Sequence, residues 1–571
     1  MSSATTTDQA IAPNANRLLW AGFVAILAAG VGFGVRGGLF PVWEETFSLN
    51  GAQLGAISLG AGFISFCFGI IIGGIIVDKI GYGKLVFAAF LLHVLSAFVT
   101  FAAKPGMSSE TAYLFLYWGT FLFGLANGTL EAVSNPLVAT LYPKNRTHYL
   151  NILHASWPLG MVFGGLIGWT LGSGENPWNW KWQLALYLVP TLVYGVMFFG
   201  QKYPKSEASA KGLKLGEMFK DVGILGTLIV SVLLFFFLRR DFFGDLIGLN
   251  TVISSIFAAL VALALLGWVA SITKFAMGHW MIFVLFIAHA MVGSVELGTD
   301  GWIQNITGTI LNPEQGKILF VFTSLVMFGL RFCAHFIESK MKVSPIGLLF
   351  ICSVLAVAGL NLVSAVESFG AAFGALLVYA IGKTFFWPTM LAVIGDRFPQ
   401  TGAVAMSLMG GVGMLSVGLL GGPGLGYARD RFSADELKEA DAALYEEVKS
   451  TENPSEFKPF DLPVFAPVQP ISPEVLNPAK DAFVAKAAVE RGSEKEEDIE
   501  KANSLTPQQE TIAKADIRGN RKVLKIDSLI PAAMAVIYLL LMLYFRTIGG
   551  YKPVSITPEQ ASGGTAGPSE F

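Results

Sequence analysis

Long apolar runs separated by short polar segments dominate the sequence. A helix that crosses the hydrocarbon core of a bilayer needs about 20 apolar residues. The pattern therefore predicts an all-α integral membrane protein with about fourteen spanning helices, arranged as six, two and six. The predicted spans lie near residues 17–41, 52–77, 85–103, 112–140, 149–171, 184–201, 222–238, 248–273, 280–303, 317–338, 345–364, 372–395, 403–427 and 528–546.

Two regions interrupt the regular alternation of spans and short loops. The runs near 222–238 and 248–273 form an additional hairpin, or else the first of them lies on the membrane surface. The stretch from Arg429 to Lys525 holds 35 of the chain's 80 charged residues, with 39 basic and 41 acidic residues in all. Seven prolines between Pro454 and Pro478 favour an extended strap within it. We expect a cap or spacer there, with a substrate-delivery module as the alternative.

Orientation follows from lysine and arginine in the short loops, which concentrate on the cytoplasmic side of membrane proteins. The basic loops of this chain alternate in a way that places both termini in the cytoplasm, in a cytoplasmic (inner) membrane. The predicted segments are a disordered cytoplasmic tail (1–16), an N-terminal six-helix bundle (17–201), a cytoplasmic linker with the hairpin (202–279), the first five helices of a C-terminal bundle (280–428), an extracytoplasmic insertion (429–526), the last helix (527–548) and a second cytoplasmic tail (549–571).

Composition narrows the class of protein. Hydrophobic residues make up 53% of the chain and charged residues only 14%, which nearly excludes a water-soluble enzyme. A net charge of −2 gives no reason to expect nucleic acid as a partner. The three cysteines lie in apolar stretches, so neither a disulfide framework nor a metal site is expected. Catalytic and ATP-binding motifs are absent from the sequence, which predicts no enzyme activity and no cofactor.

The segment 73–84 carries the first informative motif. It ends an apolar run with Gly74, then Asp78, Lys79, Gly81 and Lys84. An acid and bases at a membrane surface, with glycines that permit a sharp turn, resemble the signature loop of the major facilitator superfamily. The resemblance implies that these five residues form a gating loop, which latches one access state of a transporter. The corresponding stretch of the second half, 329–340, matches weakly.

Four further stretches resemble the fucose–proton symporter family within that superfamily. They are 128–136, 149–160, 292–303 and 386–390. The resemblance implies two six-helix bundles, a small-molecule substrate with protons, and Glu131 as the proton-coupling residue. One position departs from the family, because Gly37 stands where the fucose symporter has an aspartate, and Arg36 is its neighbour. That departure puts fucose itself in doubt and admits an anionic substrate.

Charges inside the spans point to the site, because a charge at bilayer depth costs at least about 2.5–3.5 kcal/mol. The charged residues within predicted spans are Arg36, Glu131, Glu296, Asp300, Arg331 and Lys383. At about 1.5 Å per residue, Glu296 and Lys383 lie roughly 24 and 18 Å from the inner ends of their spans. They are close enough in depth to form an ion pair. Asp300 lies nearer the outer end, where we expect it to be solvated or to join the site.

Amides and imidazole bind sugar hydroxyls, and aromatic faces bind sugar C–H surfaces. The predicted substrate-binding residues are Arg36, Asn135, Asn151, His154, Trp157, Glu296, Trp302, Asn305, Lys383 and Trp387. His289 is expected to pack rather than bind.

The leading hypothesis is proton-coupled symport of a monosaccharide, polyol or sugar acid, by a protein that is a monomer in the bilayer. One alternative is an organic-anion transporter that uses Arg36 and Lys383. A second alternative is a membrane sensor that acts through the insertion, and multidrug export is less favoured.

Overall fold

The computed structural model describes residues 12–49, 51–172, 176–205, 207–210, 212–451, 454–457 and 465–556. Most of the predicted tails, 1–16 and 549–571, and part of the Pro-rich stretch lie outside the described residues. Within these ranges the regular elements are helices, joined by two isolated β-bridges in the insertion. Eleven of the described helices are long and apolar enough to cross a membrane. The prediction of an all-α membrane fold is confirmed.

The N-terminal half contains six helices. They are α1 (Ala15–Phe47), α2 (Gly51–Gly55, continued by Ala56–Ile64 and Ser65–Ile80), α3 (Tyr82–Phe101), α4 (Ser109–Leu141), α5 (Arg146–Leu171) and α6 (Trp180–Ala185 and Leu188–Phe198). Glycine allows α1 and α5 to cross closely. A Cβ on Gly30 would lie 3.0 Å from Cα of Gly160, and one on Gly34 would lie 3.0 Å from Cα of Gly164. Small residues of this spacing let backbones approach where the hydrophobic effect no longer drives association.

Two helices, α7 (Gly223–Phe237, continued by Leu238–Leu246) and α8 (Thr251–Ile272), form the hairpin between the halves. The chain enters and leaves it at one place, because Ile224 N–H donates to the Ala276 carbonyl at 3.0 Å and His279 N–H to the Asp221 carbonyl at 2.7 Å. Both helices are long and apolar enough to span. This geometry favours the hairpin over a helix lying on the surface.

The C-terminal half contains six long helices, some of them built from several segments. They are α9 (Trp280–Gly293, Ser294–Gly298 and Thr299–Ile310), α10 (Pro313–Arg331 and Ala334–Ser339), α11 (Pro345–Ser364), α12 (Phe369–Lys383 and Phe386–Arg397), α13 (Val404–Ser416, Val417–Gly421 and Gly422–Ala440) and the last helix, α18 (Leu529–Thr547). The middle segments of α9 and α13 are π-helical turns, and they touch where Gly298 packs on Gly421.

Helices α14 (Ala442–Val448), α15 (Pro473–Glu490), α16 (Glu496–Asn503) and α17 (Pro507–Asp527) build the insertion. The chain does not leave its helix at residue 428, because α13 continues to Ala440 and packs against α17. Arg518 Nε donates to Glu436 at 2.6 Å, and the Ser433 hydroxyl donates to Asp516 at 2.7 Å. The extended stretch is also shorter than the prolines suggest, since Pro473 begins α15 and Pro478 lies inside it.

The helical bundle has two opposite ends. We call the end that carries the 73–84 loop the loop face and the opposite end the insertion face. Both described chain ends lie at the loop face, where Asn14 Nδ2 donates to Gln201 Oε1 at 3.1 Å and the Tyr551 hydroxyl donates to Asp396 at 3.1 Å.

Candidate functional site

A buried polar cluster begins on helices α4 and α5 of the N-terminal half. Asn135 Nδ2 donates to Glu131 Oε2 at 3.3 Å, and His154 Nε2 lies 2.9 Å from Asn135 Oδ1. All three side chains are buried. Among the described residues, no cation lies within ion-pair distance of Glu131. The structure therefore brings three predicted site residues together and leaves this carboxyl without a countercharge in contact.

Arg331, near the end of the first segment of α10, extends the cluster into the C-terminal half. Its Nη1 donates to the His154 carbonyl at 2.5 Å, its Nε to the Thr384 carbonyl at 2.8 Å and its Nη2 to Glu296 Oε1 at 2.6 Å. The guanidinium is buried, and its three contacts lie on α5, α12 and α9. It is thus the point where the polar groups of the two halves meet.

The structure corrects the expected pairing of Glu296 with Lys383. Glu296 binds Arg331, and its second oxygen accepts the Trp387 backbone N–H at 3.0 Å. Lys383 instead pairs with Asp300, one helical turn after Glu296 on α9. Asp300 is therefore an ion-pair partner and not simply a solvated residue. The π-helical turn in α9 shifts the register between these two acids, a feature that apolar periodicity does not reveal.

Several buried polar atoms beside this cluster have no hydrogen-bond partner among the described residues. They are Asn151 Oδ1, Trp387 Nε1 and both ring nitrogens of His289. The His289 and Trp387 rings lie 4.5 Å apart between their centroids. Asn151 Nδ2 lies 3.4 Å from Thr389 Oγ1, which again joins α5 to α12. Because buried polar groups in proteins are normally paired, these atoms mark places where a polar ligand would gain contacts.

Three other predicted residues make contacts of their own or are exposed. Trp157 is half-buried and packs on Phe33 and Phe66. Trp302 is half-buried and donates to the Gly422 carbonyl at 3.1 Å, whereas Asn305 is exposed. These positions do not place Trp302 or Asn305 in the cluster.

Arg36 is separate from the cluster as well. Its guanidinium carbon lies 3.9 Å from the centroid of the Phe123 ring and 5.1 Å from that of Tyr187, and Nη1 donates to the Gly32 carbonyl at 3.2 Å. Tyr187 lies between the two segments of α6, so Arg36 faces the interior of the N-terminal half. Cation–π contact compensates part of the cost of burying its charge.

The gating-loop residues lie at a closed end between the two halves. Gly74 packs so tightly on Ser407 of α13 that a Cβ would collide with it, and Asp78 lies against Gly402. Gly81 ends α2 with a φ of 95°, which glycine adopts without strain. Lys79 and Lys84 are exposed.

A second contact between the halves lies at the same end. Arg146 Nη1 donates to the Gly395 carbonyl at 2.8 Å and to Asp396 Oδ1 at 3.2 Å. We call these contacts, together with Gly74–Ser407 and Asp78–Gly402, the loop-face gate. In this conformation the loop-face gate is closed.

The sequence alone did not assign Arg331, His289, Arg146 or Asp396 to the site or the gate. Arg331 had a signal, because it is a charge within an apolar run, but its partner depends on how α9, α10 and α12 pack. His289 is aligned with Glu296 on α9, seven residues earlier, so helical periodicity could have suggested a shared face.

Two six-helix halves with buried charges where they meet are typical of membrane transporters that work by alternating access. A sequence model described as the Major Facilitator Superfamily matches residues 22–310. The chain belongs to this superfamily.

Comparison with known proteins supports the same fold. The inner membrane metabolite transport protein YgcS of Escherichia coli K12 is 28% identical over 179 residues, which are 31% of this chain and 38% of that protein's length. A bacterial homologue of the human lysosomal transporter Spinster, solved in an inward-facing and unoccupied conformation, has a TM-score of 0.52 at 15% identity, covering 93% of this chain and 97% of that chain. The E. coli fucose:proton symporter FucP has a TM-score of 0.51 at 16% identity, covering 72% and 92%.

Proposed function

We propose that the protein is a proton-coupled symporter of a neutral, hydroxyl-rich small molecule, a monosaccharide or a related polyol. One observation carries the proposal. Both cations of the central region already have a carboxylate, since Arg331 binds Glu296 and Lys383 binds Asp300, whereas Glu131 has no cation in contact among the described residues. A site with this balance suits a neutral substrate and a proton, not an anion.

Glu131 is the proposed proton carrier. A carboxyl that is buried without a countercharge favours its neutral form, so a proton binds it before or with the substrate. Its neighbour Asn135 also touches His154, and the backbone carbonyl of His154 is held by Arg331. Loss of the proton from Glu131 would therefore affect the contact between His154 and Arg331, where the two halves meet.

The substrate's hydroxyls would satisfy the unpaired polar atoms beside the cluster. A hydroxyl both donates and accepts, so it can serve Trp387 Nε1, Asn151 Oδ1 and either nitrogen of His289. The Trp387 ring adds an aromatic face for sugar C–H groups. The similar structures include that of a fucose symporter, but at 16% identity that likeness concerns the fold.

Alternating access would open the loop-face gate while the insertion face closes. Because basic residues favour the cytoplasmic side, we assign the loop face with Lys79 and Lys84 to the cytoplasm. The insertion then faces away from the cytoplasm, and the two ends of the described chain, residues 12 and 556, lie on the cytoplasmic side.

The test is uptake into proteoliposomes that carry an inward-directed pH gradient. Glu131→Gln should abolish pH-driven accumulation of the substrate but keep exchange of labelled for unlabelled substrate across the membrane. Glu110→Gln, in the first turn of the same helix, is the matched control and should behave as the unchanged protein. Accumulation that survives Glu131→Gln would refute the proposal.

The organic-anion alternative has less support. Of its two cations, Lys383 is engaged by Asp300, whereas Arg36 lies over the Phe123 and Tyr187 rings, outside the buried cluster. Arg36 Nε and Nη2 have no hydrogen-bond partner among the described residues, so Arg36 is the one cation left for this alternative. Thermal-shift measurements with hexoses, polyols, glucuronate and lactate across pH separate the two hypotheses, because a ligand stabilises the folded state that binds it. Stabilisation by the carboxylates alone would favour the anion transporter.

The sensor alternative depends on the insertion. Deleting 432–522 should leave transport in place if the protein is a carrier, provided that the shortened chain still elutes as a folded monodisperse species. Loss of all transport in such a folded deletion variant would favour a role for the insertion in the activity itself.

A further inference from the structure

The described C-terminal segment after α18 folds back onto the loop-face gate. We call residues 549–556 the tail strap. Two glycines with φ of 88° and 97°, Gly549 and Gly550, reverse the chain direction, and Gly550 N–H donates to the Phe545 carbonyl at 2.8 Å. Such dihedral angles favour glycine, so the turn is specified by the sequence.

The tail strap binds the end of α12 through three hydrogen bonds. The Tyr551 hydroxyl donates to Asp396 Oδ2 at 3.1 Å, and Val554 N–H donates to the Asp396 carbonyl at 2.7 Å. Arg397 Nη1 donates to the Lys552 carbonyl at 2.8 Å. The Tyr551 ring packs 5.0 Å from the Phe545 ring, and Ile556 is buried. The segment is thus docked and not merely adjacent.

Asp396 receives the tail strap and the opposite half of the protein at the same time. Its Oδ1 accepts from Arg146 of the N-terminal half, and its Oδ2 accepts from Tyr551. A carboxylate held at one oxygen is fixed in orientation toward a partner at the other, and hydrogen bonds to charged groups are stronger than those between neutral groups.

We propose that the tail strap holds the loop-face gate closed and that Tyr551 is a positioning residue, acting on the gate through Asp396. Loss of the Tyr551 hydroxyl frees the carboxylate to rotate, weakens its contact with Arg146 and shifts the population toward the state that is open at the loop face. Tyr551 thus acts on the conformational equilibrium of the protein, whatever the identity of the substrate.

The experiment measures gate opening through a reporter cysteine. Cys67, Cys333 and Cys352 are changed to serine, and Ser407→Cys places a thiol beside Gly74 in the closed gate. The purified protein in nanodiscs is treated with a membrane-impermeant maleimide. Tyr551→Phe should raise the alkylation rate roughly tenfold, the effect of losing about one hydrogen bond to a charged group. A chain ending at residue 548 should react at least as fast.

Matched controls separate this role from a general loss of stability. A chain ending at 556 keeps the tail strap and should react at the unchanged rate, as should Tyr113→Phe, which removes a phenol near the insertion face. In an Asp396→Asn background, Tyr551→Phe should add no further increase.

Two results would overturn the proposal. One is an unchanged alkylation rate in Tyr551→Phe, whatever happens to the shortened chain. The other is an equal increase with and without Asp396, which would show that Tyr551 does not act through that carboxylate. Thermal unfolding of Tyr551→Phe should stay close to that of the unchanged protein, so misfolding would be recognised.

Discussion

Removing Arg331 should destabilise the protein more than removing the charge of its partner, Glu296. Arg331→Met leaves Glu296 buried, with one backbone N–H from Trp387 and no cation of its own, because Lys383 is engaged with Asp300. Leaving a buried charge unpaired costs about 3–5 kcal/mol of unfolding free energy.

Glu296→Gln is expected to be milder. Arg331 keeps the His154 and Thr384 carbonyls as acceptors, the new amide oxygen can accept from Nη2, and Glu131 remains close enough to act on its charge. The loss should be about 1–3 kcal/mol, in the range for a hydrogen bond to a charged group and its desolvation.

The assay is unfolding in mixed micelles titrated with SDS. Arg331→Met combined with Glu296→Gln should be more stable than Arg331→Met alone, because the unpaired carboxylate is gone. Arg240→Met removes an arginine of a surface pair that is 44% exposed and should change stability by less than about 1 kcal/mol. Equal destabilisation by Glu296→Gln and Arg331→Met, or a double variant that is the least stable of the three, would contradict this expectation.

Three further outcomes follow from individual contacts. Gly74→Val should eliminate transport in a folded protein, because a side chain at this position collides with Ser407 in the closed gate. Gly168→Val is the control and should transport normally, because there is open space around Gly168. Uptake assays measure transport, and size-exclusion profiles show whether each variant is folded. Asp300→Ala should lower the unfolding midpoint more than Lys383→Ala, since Lys383 is 0% exposed and would be left unpaired, whereas Asp300 is 19% exposed and can be hydrated. Asp221 lies in the turn before α7 and accepts a hydrogen bond from Gln400. Burial raises the pKa of the Asp221 carboxyl, so the folded state binds this proton more tightly than the unfolded chain does. Stability therefore falls as pH rises above the ordinary carboxyl range. Asp221→Asn should therefore stabilise the protein at pH 7 and do so less at pH 4, and equal gains at both values in thermal unfolding would contradict this.

The approximate number of helices and the class of fold could be predicted from the sequence because they depend on local chemistry. A run of about 20 apolar residues is long enough to cross a bilayer. In lipid, the backbone N–H and C=O groups of such a run must form their hydrogen bonds within the helix. For the same reason, the sequence alone is enough to show that six charges inside apolar runs are costly to bury, namely Arg36, Glu131, Glu296, Asp300, Arg331 and Lys383. By resemblance, the motif of 73–84 also predicted a gating loop, and that role stays a prediction.

The partners of those charges could not be predicted in the same way. Depth along a helix suggested Glu296 with Lys383, but rotation about the helix axis decides contact, and the π-helical turn at Ser294–Gly298 changes that rotation. Only the packing of α9, α10 and α12 directs Arg331 to Glu296 and Lys383 to Asp300. The position of Arg36 was similarly unpredictable, because its side chain lies against the Phe123 ring of α4 and the Tyr187 ring.

Local chemistry along the chain therefore specifies that this is an integral membrane protein, that it has two halves with a hairpin and an insertion, and which charged residues lie inside apolar runs. Helix packing settles which of these charges are neutralised, which buried polar atoms stay unpaired, and which end of the molecule is closed. The physical reason is the separation along the chain of the interacting residues. Helix formation and the burial of an apolar run depend on residues within a few turns of one helix. An ion pair between α9 and α10 instead requires two segments that are distant in the sequence to lie within about 3 Å of each other.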